Sequence, residues 1–411
     1  AEAETDLRYM KIPKGSTVEG GDPSDYVLQI LRNIYGQKQA GRVWNKYLVG
    51  KLKAIGFKQS VVMYCVFYRG RSIYVLYTDD SILAGPDNDE LDQIVEDLKS
   101  VGLELTVEGD VSDFLGVNIH RNDDGTVSRT QPKLIQQILE DLHLEKDNVN
   151  TKAIPAPSTV LLRRHLDADP FEGNFDYRSV IGKLNYLEKS TRPDISFATH
   201  QCARFAADPR LPHGKAVSWI GRYLKATASG GIIYKPDLSE SFDCYVDADF
   251  SGNWHQGEAP FDGDTARSRT GYVISFAGCP LVWSSKLQGQ IALSTPEAKY
   301  LALSTALREA IPLMELLEEL KRENYGIATT VPTIHCKVFE DNSGAVEIAT
   351  NHKFRPRTKH INTQYHHFRQ YVDEGKVSVH AVSTVEQKAD VLTKPLPEDS
   401  FQRHRKSIMG W

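Results

Sequence analysis

The stretch "YVLYTDDSILAG" (Tyr74–Gly85) sets two aspartates side by side between two short apolar runs. Apolar residues alternate up to Tyr77 and a second run begins directly after Asp80, so the spacing predicts two strands joined by a tight turn. Adjacent carboxylates are costly there. Two like charges about 4 Å apart repel by about 4 kcal/mol at an effective dielectric near 20. Turns do favour Asp, whose side chain bonds its own backbone. The stretch is therefore either a hairpin tip with solvated charges or a hairpin that holds a divalent cation.

Outward from it, "CVFYRGRSIYVLYTDDSILAG" reads as three short strands with tight turns. "AGRVWNKYLVGKLKAIGF" before it has helical periodicity and stops at Gly56. "NDELDQIVEDLKSVG" after it is an amphipathic helix capped by Asn88 or Asp89. "SDFLGVNIHRNDDGTVSRTQ" is a hairpin turning at "NDDG". Helices then dominate from "PKLIQQILEDLHL" to "HGKAVSWIGRYLKATAS", interrupted by the Pro- and charge-rich linker "EKDNVNTKAIPAPSTV" and closed by Gly230 and Gly231.

The last part alternates again. Strands "DCYVDADF", "TGYVISFAG" and "PLVWSSK" precede a long helix from Pro296, the strand "TIHCKVFED", a short helix, the strand "VSVHAV" and a final helical stretch. Three strands in a meander followed by two joined through helices predict a mixed sheet with parallel crossovers.

The 411 residues suffice for two or three domains, and the 40% apolar and 25% charged fractions are ordinary for a globular chain. No apolar run approaches the roughly 18 residues of a membrane span. The polar start "AEAETDLRYMKIPKG" carries no signal peptide and no Met, which suggests a cleaved or truncated chain. Five cysteines without a C-x-x-C pair argue against a disulfide framework or zinc site and for a reducing setting. The net charge of −5 gives no hint of nucleic acid, but "HKFRPRTKHINTQYHHFRQ" holds five Lys or Arg and no acid. Such a run can track a phosphate backbone, or lie as a solvated basic face.

Four acids of the last part stand at element ends, where each alone also reads as a cap or surface charge, Glu297 as an anion at a helix N-terminus. Asp247 lies within a strand, Asp341 closes one, and Asp390 opens or lies in the helix "EQKADVLTK". Glu297 falls in a helix's first turn, behind Thr295 as cap and Pro296 at the first helical position. With the first, fourth and fifth strands adjacent, Asp247 and Asp341 come from neighbouring strands, and the two helices can bring Glu297 and Asp390 to the same edge. Four hard oxygen ligands suit two Mg²⁺ ions, which about 3.5–4 Å apart can serve phosphodiester hydrolysis. Without metal the four repel, so Asp247→Asn is expected to keep the fold and even stabilise the metal-free form.

These segments together resemble the reverse transcriptase–RNase H part of copia-type (Pseudoviridae) long-terminal-repeat retrotransposon polyproteins, almost end to end. "YMKIPKG", "NIYGQKQAGRVWN", "LYTDDSILAG" and "DFLGVNI" resemble the polymerase segments; "YRSVIGKLNYLEKSTRPDISFA" and "IGRYLKAT" resemble the helical connection. "YVDADFSG", "SRTGYVISFAG", "WSSKLQ", "STPEAKYLAL", "EDNSGAV", "KHINTQYHHFR" and "ADVLTKPLP" resemble the RNase H domain in order. The resemblance implies a multidomain α+β and α/β chain: a partial palm over 1–120, a helical thumb or connection over 121–235, an RNase H-like mixed five-stranded sheet with flanking helices over 236–398, and a tail over 399–411.

By the same resemblance, Asp79 is a catalytic Mg²⁺ ligand for nucleotidyl transfer, with Asp80 beside it as a supporting charge. Gln37, Lys38 and Gln39 fall where the family contacts nucleotide or template. Asp247, Glu297, Asp341 and Asp390 match the four catalytic, metal-binding carboxylates of RNase H. Arg355, Arg357, Lys359, His360 and His366 lie in a nucleic-acid-binding segment, the two histidines as candidates for proton shuttling or product release. The implied activities are RNA-directed DNA synthesis and hydrolysis of the RNA strand of RNA–DNA hybrids, with Mg²⁺ or Mn²⁺. The implied partners are the hybrid, an RNA template, a DNA primer and dNTPs. A homodimer, no membrane, and a cytoplasmic virus-like particle or the nucleus complete the picture.

The family carries a further aspartate ahead of a segment like "YMKIPKG", and this chain begins after that point, without fingers, so processive DNA synthesis is not expected of it. Thr78 stands where the family more often has Val, and Gly41 where it more often has Pro. Lys299 replaces a second acid near Glu297, and Asn362 replaces an acid after "KHI". A nuclease independent of any polymerase and a non-catalytic remnant that binds nucleic acid or protein are the rival readings.

Overall fold

The computed structural model describes residues 8–19, 21–34, 36–158, 162–323, 325, 333–350 and 366–411. It divides into two compact units, Ala1–Gly109 and Asp110–Trp411.

In the first unit, β1 (Arg8–Lys11) pairs antiparallel with β2 (Val27–Ile30). Helix α1 (Ala40–Ala54) precedes a four-stranded antiparallel sheet of β3 (Lys58–Gln59), β4 (Val66–Arg69), β5 (Ser72–Tyr77) and β6 (Asp80–Ala84), in that order. Helix α2 (Asn88–Ser100) follows, and Asp87, not Asn88 or Asp89, caps it by accepting from Asp89 N at 3.0 Å. The cap moves one residue upstream because Asp87 keeps extended backbone, as a capping side chain must to reach the first free N–H groups. Alternate residues of β5 turn inward, so Tyr74 and Leu76 join Leu48, Leu52, Phe67, Ile94 and Leu98 in one core.

The second unit begins with β7 (Asp113–Phe114), β8 (Val117–Arg121) and β9 (Val127–Thr130), the last two forming the hairpin expected around "NDDG". A strand not anticipated from sequence, β10 (Ile232–Tyr234), completes this sheet against β9. It directly follows the glycine pair. Gly231 has to be glycine, because a Cβ would lie 2.0 Å from the Arg129 carbonyl oxygen. Between β9 and β10 run α3 (Pro132–Asp141), α4 (Tyr177–Ser190), α5 (Ser196–Ala203) and α6 (Leu211–Ala226).

The remaining strands are β11 (Phe242–Asp249), β12 (Arg269–Phe276), β13 (Cys279–Leu287), β14 (Cys336–Glu340) and β15 (Val377–Ala381). They form one sheet in the order β13-β12-β11-β14-β15, with antiparallel pairing on the β13 side and parallel pairing from β11 to β15. This is the meander-plus-crossovers arrangement expected from the sequence. Helix α7 (Thr295–Arg322) covers one face, packing Tyr300, Leu303 and Leu307 on Cys244, Val246, Tyr272, Ile274 and Val338.

The other face belongs to the helices. Val273, between Tyr272 and Ile274, points the opposite way and joins Trp283, Leu184, Leu187, Ile220, Leu224, Leu392 and Ile408 in a second core. The helical stretch and the five-stranded sheet thus share apolar burial across the sequence boundary near residue 235. A fully buried Arg192–Asp194 ion pair, with bonds of 2.9 and 2.8 Å, anchors the helices, and Arg192 lies over the C-terminal Trp411 ring. Among the described residues no helix is long and apolar enough to cross a membrane.

Candidate metal and nucleic-acid site

In the first unit, β5 and β6 pair through Tyr77 and Asp80, so Thr78 and Asp79 form the turn. Thr78 adopts φ 51°, left-handed backbone that a β-branched residue rarely takes. Its carbonyl accepts from Trp44 Nε1 of α1 at 3.1 Å, which ties the hairpin tip to that helix. Asp79 and Asp80 are both exposed. Gln37, Lys38 and Gln39 form the approach to α1: Gln37 Oε1 accepts from Ile34 N at 3.2 Å, Gln39 Nε2 donates to Asn33 Oδ1 at 3.2 Å, and Lys38 is exposed.

In the second unit the four carboxylates sit where sheet and helices end. Asp247 stands two residues before the end of β11 and is only 2% exposed. Asp341 is one residue past β14, the parallel neighbour of β11. Asp390 opens the helix Asp390–Thr393 and is buried. Glu297 lies in the first turn of α7, whose N-cap is Ser294 rather than Thr295: Ser294 Oγ accepts from Glu297 N at 3.3 Å, and Glu297 Oε2 accepts from Leu293 N at 2.8 Å. Thr295 is drawn into the helix because this reciprocal pair satisfies the free N–H groups one residue earlier.

The centre of the group is a lysine. Lys299, in the second turn of α7 and buried, donates from Nζ to Asp247 Oδ1 and to Asp341 Oδ1, and lies 3.3 Å from Glu340 Oε1. Thr393 Oγ1 donates to Asp247 Oδ2 at 2.6 Å, and Thr384 Oγ1 to Asp341 Oδ2 at 3.1 Å. A second ammonium, Lys394 Nζ, is 2.9 Å from Asp390 Oδ2. Close approach of the Asp390 helix depends on Gly271, the register partner of Asp247 on β12; a Cβ there would lie 2.6 Å from Thr393 Cγ2 and 2.9 Å from Leu392 Cβ.

The electrostatics follow from this geometry. Burial disfavours the Asp247 charge, but Lys299 and Thr393 outweigh it and hold the carboxyl below the usual range. Burial and the neighbouring Asp247 charge push Asp390 up to about 7. Burial lifts Glu340 to about 8 although Lys299 opposes the rise. Asp249, two residues on from Asp247 and on the same strand face, is raised by burial and by Asp247. Lys299, despite burial, is held protonated by Asp247 and Glu340.

Chemically, the set is all carboxylate oxygen, which suits a hard divalent cation. Asp390 Oδ1 is buried with no hydrogen-bond partner, as an unused ligand atom would be. Against this, among the described residues no three His, Cys, Asp or Glu side chains come together closely enough to hold a metal ion. The Lys299 ammonium bridges two of them instead.

The order of the five-stranded sheet, with its acids at the β11 and β14 ends, is accompanied by matches along the whole chain. The reverse transcriptase (RNA-dependent DNA polymerase) family profile matches residues 1–158. The chain is 31% identical over 408 residues, 96% of its length, to the retrovirus-related Pol polyprotein from transposon TNT 1-94 of Nicotiana tabacum. It is 33% identical over 408 residues, 98% of its length, to that from transposon RE1 of Arabidopsis thaliana. The chain belongs to the copia-type retrotransposon Pol family. It spans 29% and 26% of the lengths of those two polyproteins. A solved structure of LC11-RNase H1 in complex with RNA/DNA hybrid is similar at 18% identity and TM-score 0.24, covering 37% of this chain and 94% of that one.

Within this Pol chain, His366 Nδ1 is 2.5 Å from the Tyr300 hydroxyl of α7, and burial lowers its pKa. Arg355, Arg357, Lys359, His360 and Asn362 lie outside the described residues. From sequence Lys299 is the replacement of a second acid near Glu297, and Glu340 is passed over. Both carried a signal. The alternation Cys336, Val338, Glu340 puts Glu340 on the inward face of β14, and Lys299 stands between Ala298 and Tyr300 near the buried start of α7.

Proposed function

We propose that this chain is the reverse transcriptase–RNase H portion of a retrotransposon polyprotein, and that its second unit hydrolyses the RNA strand of RNA–DNA hybrids. The observation that carries the reading is the convergence of Asp247 and Asp341 on the Lys299 ammonium at the ends of adjacent strands, with Asp390 near enough to Asp247 to be raised by its charge; Glu297 stands two residues before Lys299, its Oε2 accepting from Leu293 N. Asp247, Glu297, Asp341 and Asp390 would hold Mg²⁺ or Mn²⁺, which when bound lowers the pKa of water and stabilises a leaving oxygen. The protein's own residues supply the frame. Thr393 and Thr384 fix the rotamers of Asp247 and Asp341, and Gly271 lets the Asp390 helix seat on the sheet. For the first unit the reading assigns Asp79 and Asp80 to the metal of nucleotidyl transfer, with Gln37, Lys38 and Gln39 toward nucleotide or template.

The partners in this reading are an RNA–DNA hybrid, an RNA template, a DNA primer and dNTPs, within an intracellular particle or the nucleus, the chain acting alone or as a homodimer. The basic segment with Arg355, Arg357, Lys359 and His360 would track the backbone, and the RNA 2′-hydroxyl would distinguish hybrid from DNA duplex. The test is cleavage of a labelled hybrid against the matched DNA duplex with Mg²⁺ or Mn²⁺. Hybrid-selective cutting that disappears in Asp390→Asn supports the reading. Equal cutting by wild type and variant, or no cutting with either ion, overturns it.

A further inference from the structure

The second unit already contains a cation among its carboxylates. Lys299 is 7% exposed, and its ammonium is surrounded by Asp247, Asp341 and Glu340, from the adjacent parallel strands β11 and β14. An ammonium has three N–H donors and no acceptor, so three carboxylates around it make a complete set. Oxygen ligands converging on a positive centre are what a divalent ion also requires. A metal and this ammonium cannot share Asp247 Oδ1 and Asp341 Oδ1.

We infer that Lys299 is a built-in competitor of the metal: its ammonium neutralises the carboxylate centre when no ion is bound, and a divalent ion enters by displacing it onto Glu340. This rests on the reading of Asp247, Glu297, Asp341 and Asp390 as a metal centre, and adds how that centre is regulated. Glu340 is suited to receive the displaced group. It is 0% exposed, Lys299 Nζ is already 3.3 Å from its Oε1, and its Oε2 is buried without a hydrogen-bond partner. A lysine stem with four rotatable carbons can make that move while its backbone stays in α7. The displaced ammonium keeps the Glu340 Oε1 oxygen within reach as an acceptor. Two consequences follow. The metal-free fold does not suffer the repulsion of bare carboxylates, and metal binding is weaker than the oxygen set alone would give.

The experiment is Mn²⁺ titration calorimetry on the 411-residue chain, paired with thermal unfolding in EDTA. An Asp79→Asn, Asp80→Asn background keeps the exposed hairpin from contributing binding. Lys299→Met keeps the stem and removes the charge; it should bind Mn²⁺ about tenfold or more tightly than wild type. It should also melt lower in EDTA and gain more in melting temperature on adding Mn²⁺. Glu340→Gln should weaken Mn²⁺ binding when Lys299 is present and leave it unchanged in Lys299→Met. If Lys299→Met does not fold, Lys299→Gln takes its place with the same expectations. Equal Mn²⁺ affinity in wild type and the Lys299 variant overturns the competition, and Lys299 is then a structural ion pair only. No Mn²⁺ binding in either protein overturns the metal reading itself.

Discussion

Asp247→Asn is nearly isosteric and removes one charge from the centre of the second unit, so its effect on stability reports the local charge balance. In the metal-free protein Asp247 is 2% exposed and accepts from the Lys299 ammonium and, at 2.6 Å, from Thr393 Oγ1. Removing one partner of a buried ion pair costs about 3–5 kcal/mol, because the other charge is left uncompensated. Here the loss is smaller for three reasons. Lys299 keeps Asp341 and Glu340, the Asn amide oxygen can still accept from Thr393, and Asp390 is freed of the like charge that helps push it up to about 7. A net destabilisation of about 2 kcal/mol is therefore expected. For a unit of this size that corresponds to a fall of about 3 °C in melting temperature. Calorimetry in EDTA measures it without interference from metal linkage. The bare-carboxylate expectation from sequence had the opposite sign, a stabilisation. A melting temperature that rises or stays put in the variant would refute the argument that Lys299 balances the charge.

Two further outcomes follow from the structure. Gly271→Ala should lift the Asp390–Thr393 helix off β12 and destabilise the fold by about 1–3 kcal/mol, as overpacking does; faster amide exchange at Val391–Thr393 would reveal the displacement, and unaltered exchange would count against the close approach. Two buried histidines predict a loss of stability in mild acid. His213 accepts from Arg210 N at Nδ1 and bonds the Arg163 carbonyl through Nε2, and burial lowers its pKa. Burial, with Arg403, Lys394 and Lys388 nearby, lowers His404 to about 4. Folded values below the ordinary 6.5 mean that the unfolded chain binds more protons in this window. Stability is thus retained above pH 6.5 and falls as pH drops toward 4; His404→Gln should flatten that slope in urea unfolding, and an unchanged slope would place the linkage elsewhere.

Much of this protein is written locally in its sequence. The continuous apolar run Ile73–Tyr77 and the alternation of Cys244, Val246 and Ala248 mark strands, and for the second the apolar face too, because side chains along a strand point alternately to opposite sides. The order of strands and helices after residue 240 determines the mixed sheet, because parallel neighbours need a crossover long enough to hold a helix. The acids Asp247, Glu297, Asp341 and Asp390 could be singled out because they stand at element ends. Caps were less legible. Asp87 and Ser294 each lie one residue ahead of the sequence assignment, since several neighbouring residues can cap and the backbone angle decides among them.

Tertiary structure decided what surrounds those acids. Nothing within a few residues of Lys299 says that its side chain reaches 52 positions back to Asp247 and 42 forward to Asp341. That meeting requires α7 to lie across β11 and β14 at one particular register, and a lysine stem is long enough to serve either solvent or a buried ion pair. Likewise, Val273 and Trp283 are ordinary strand residues until the helices before residue 235 are seen to cover their face of the sheet. The apolar pattern specifies that a face must be buried, and only packing specifies against what. The sign of the charge at the carboxylate centre, set by one buried ammonium from a distant helix, is likewise a property of that packing.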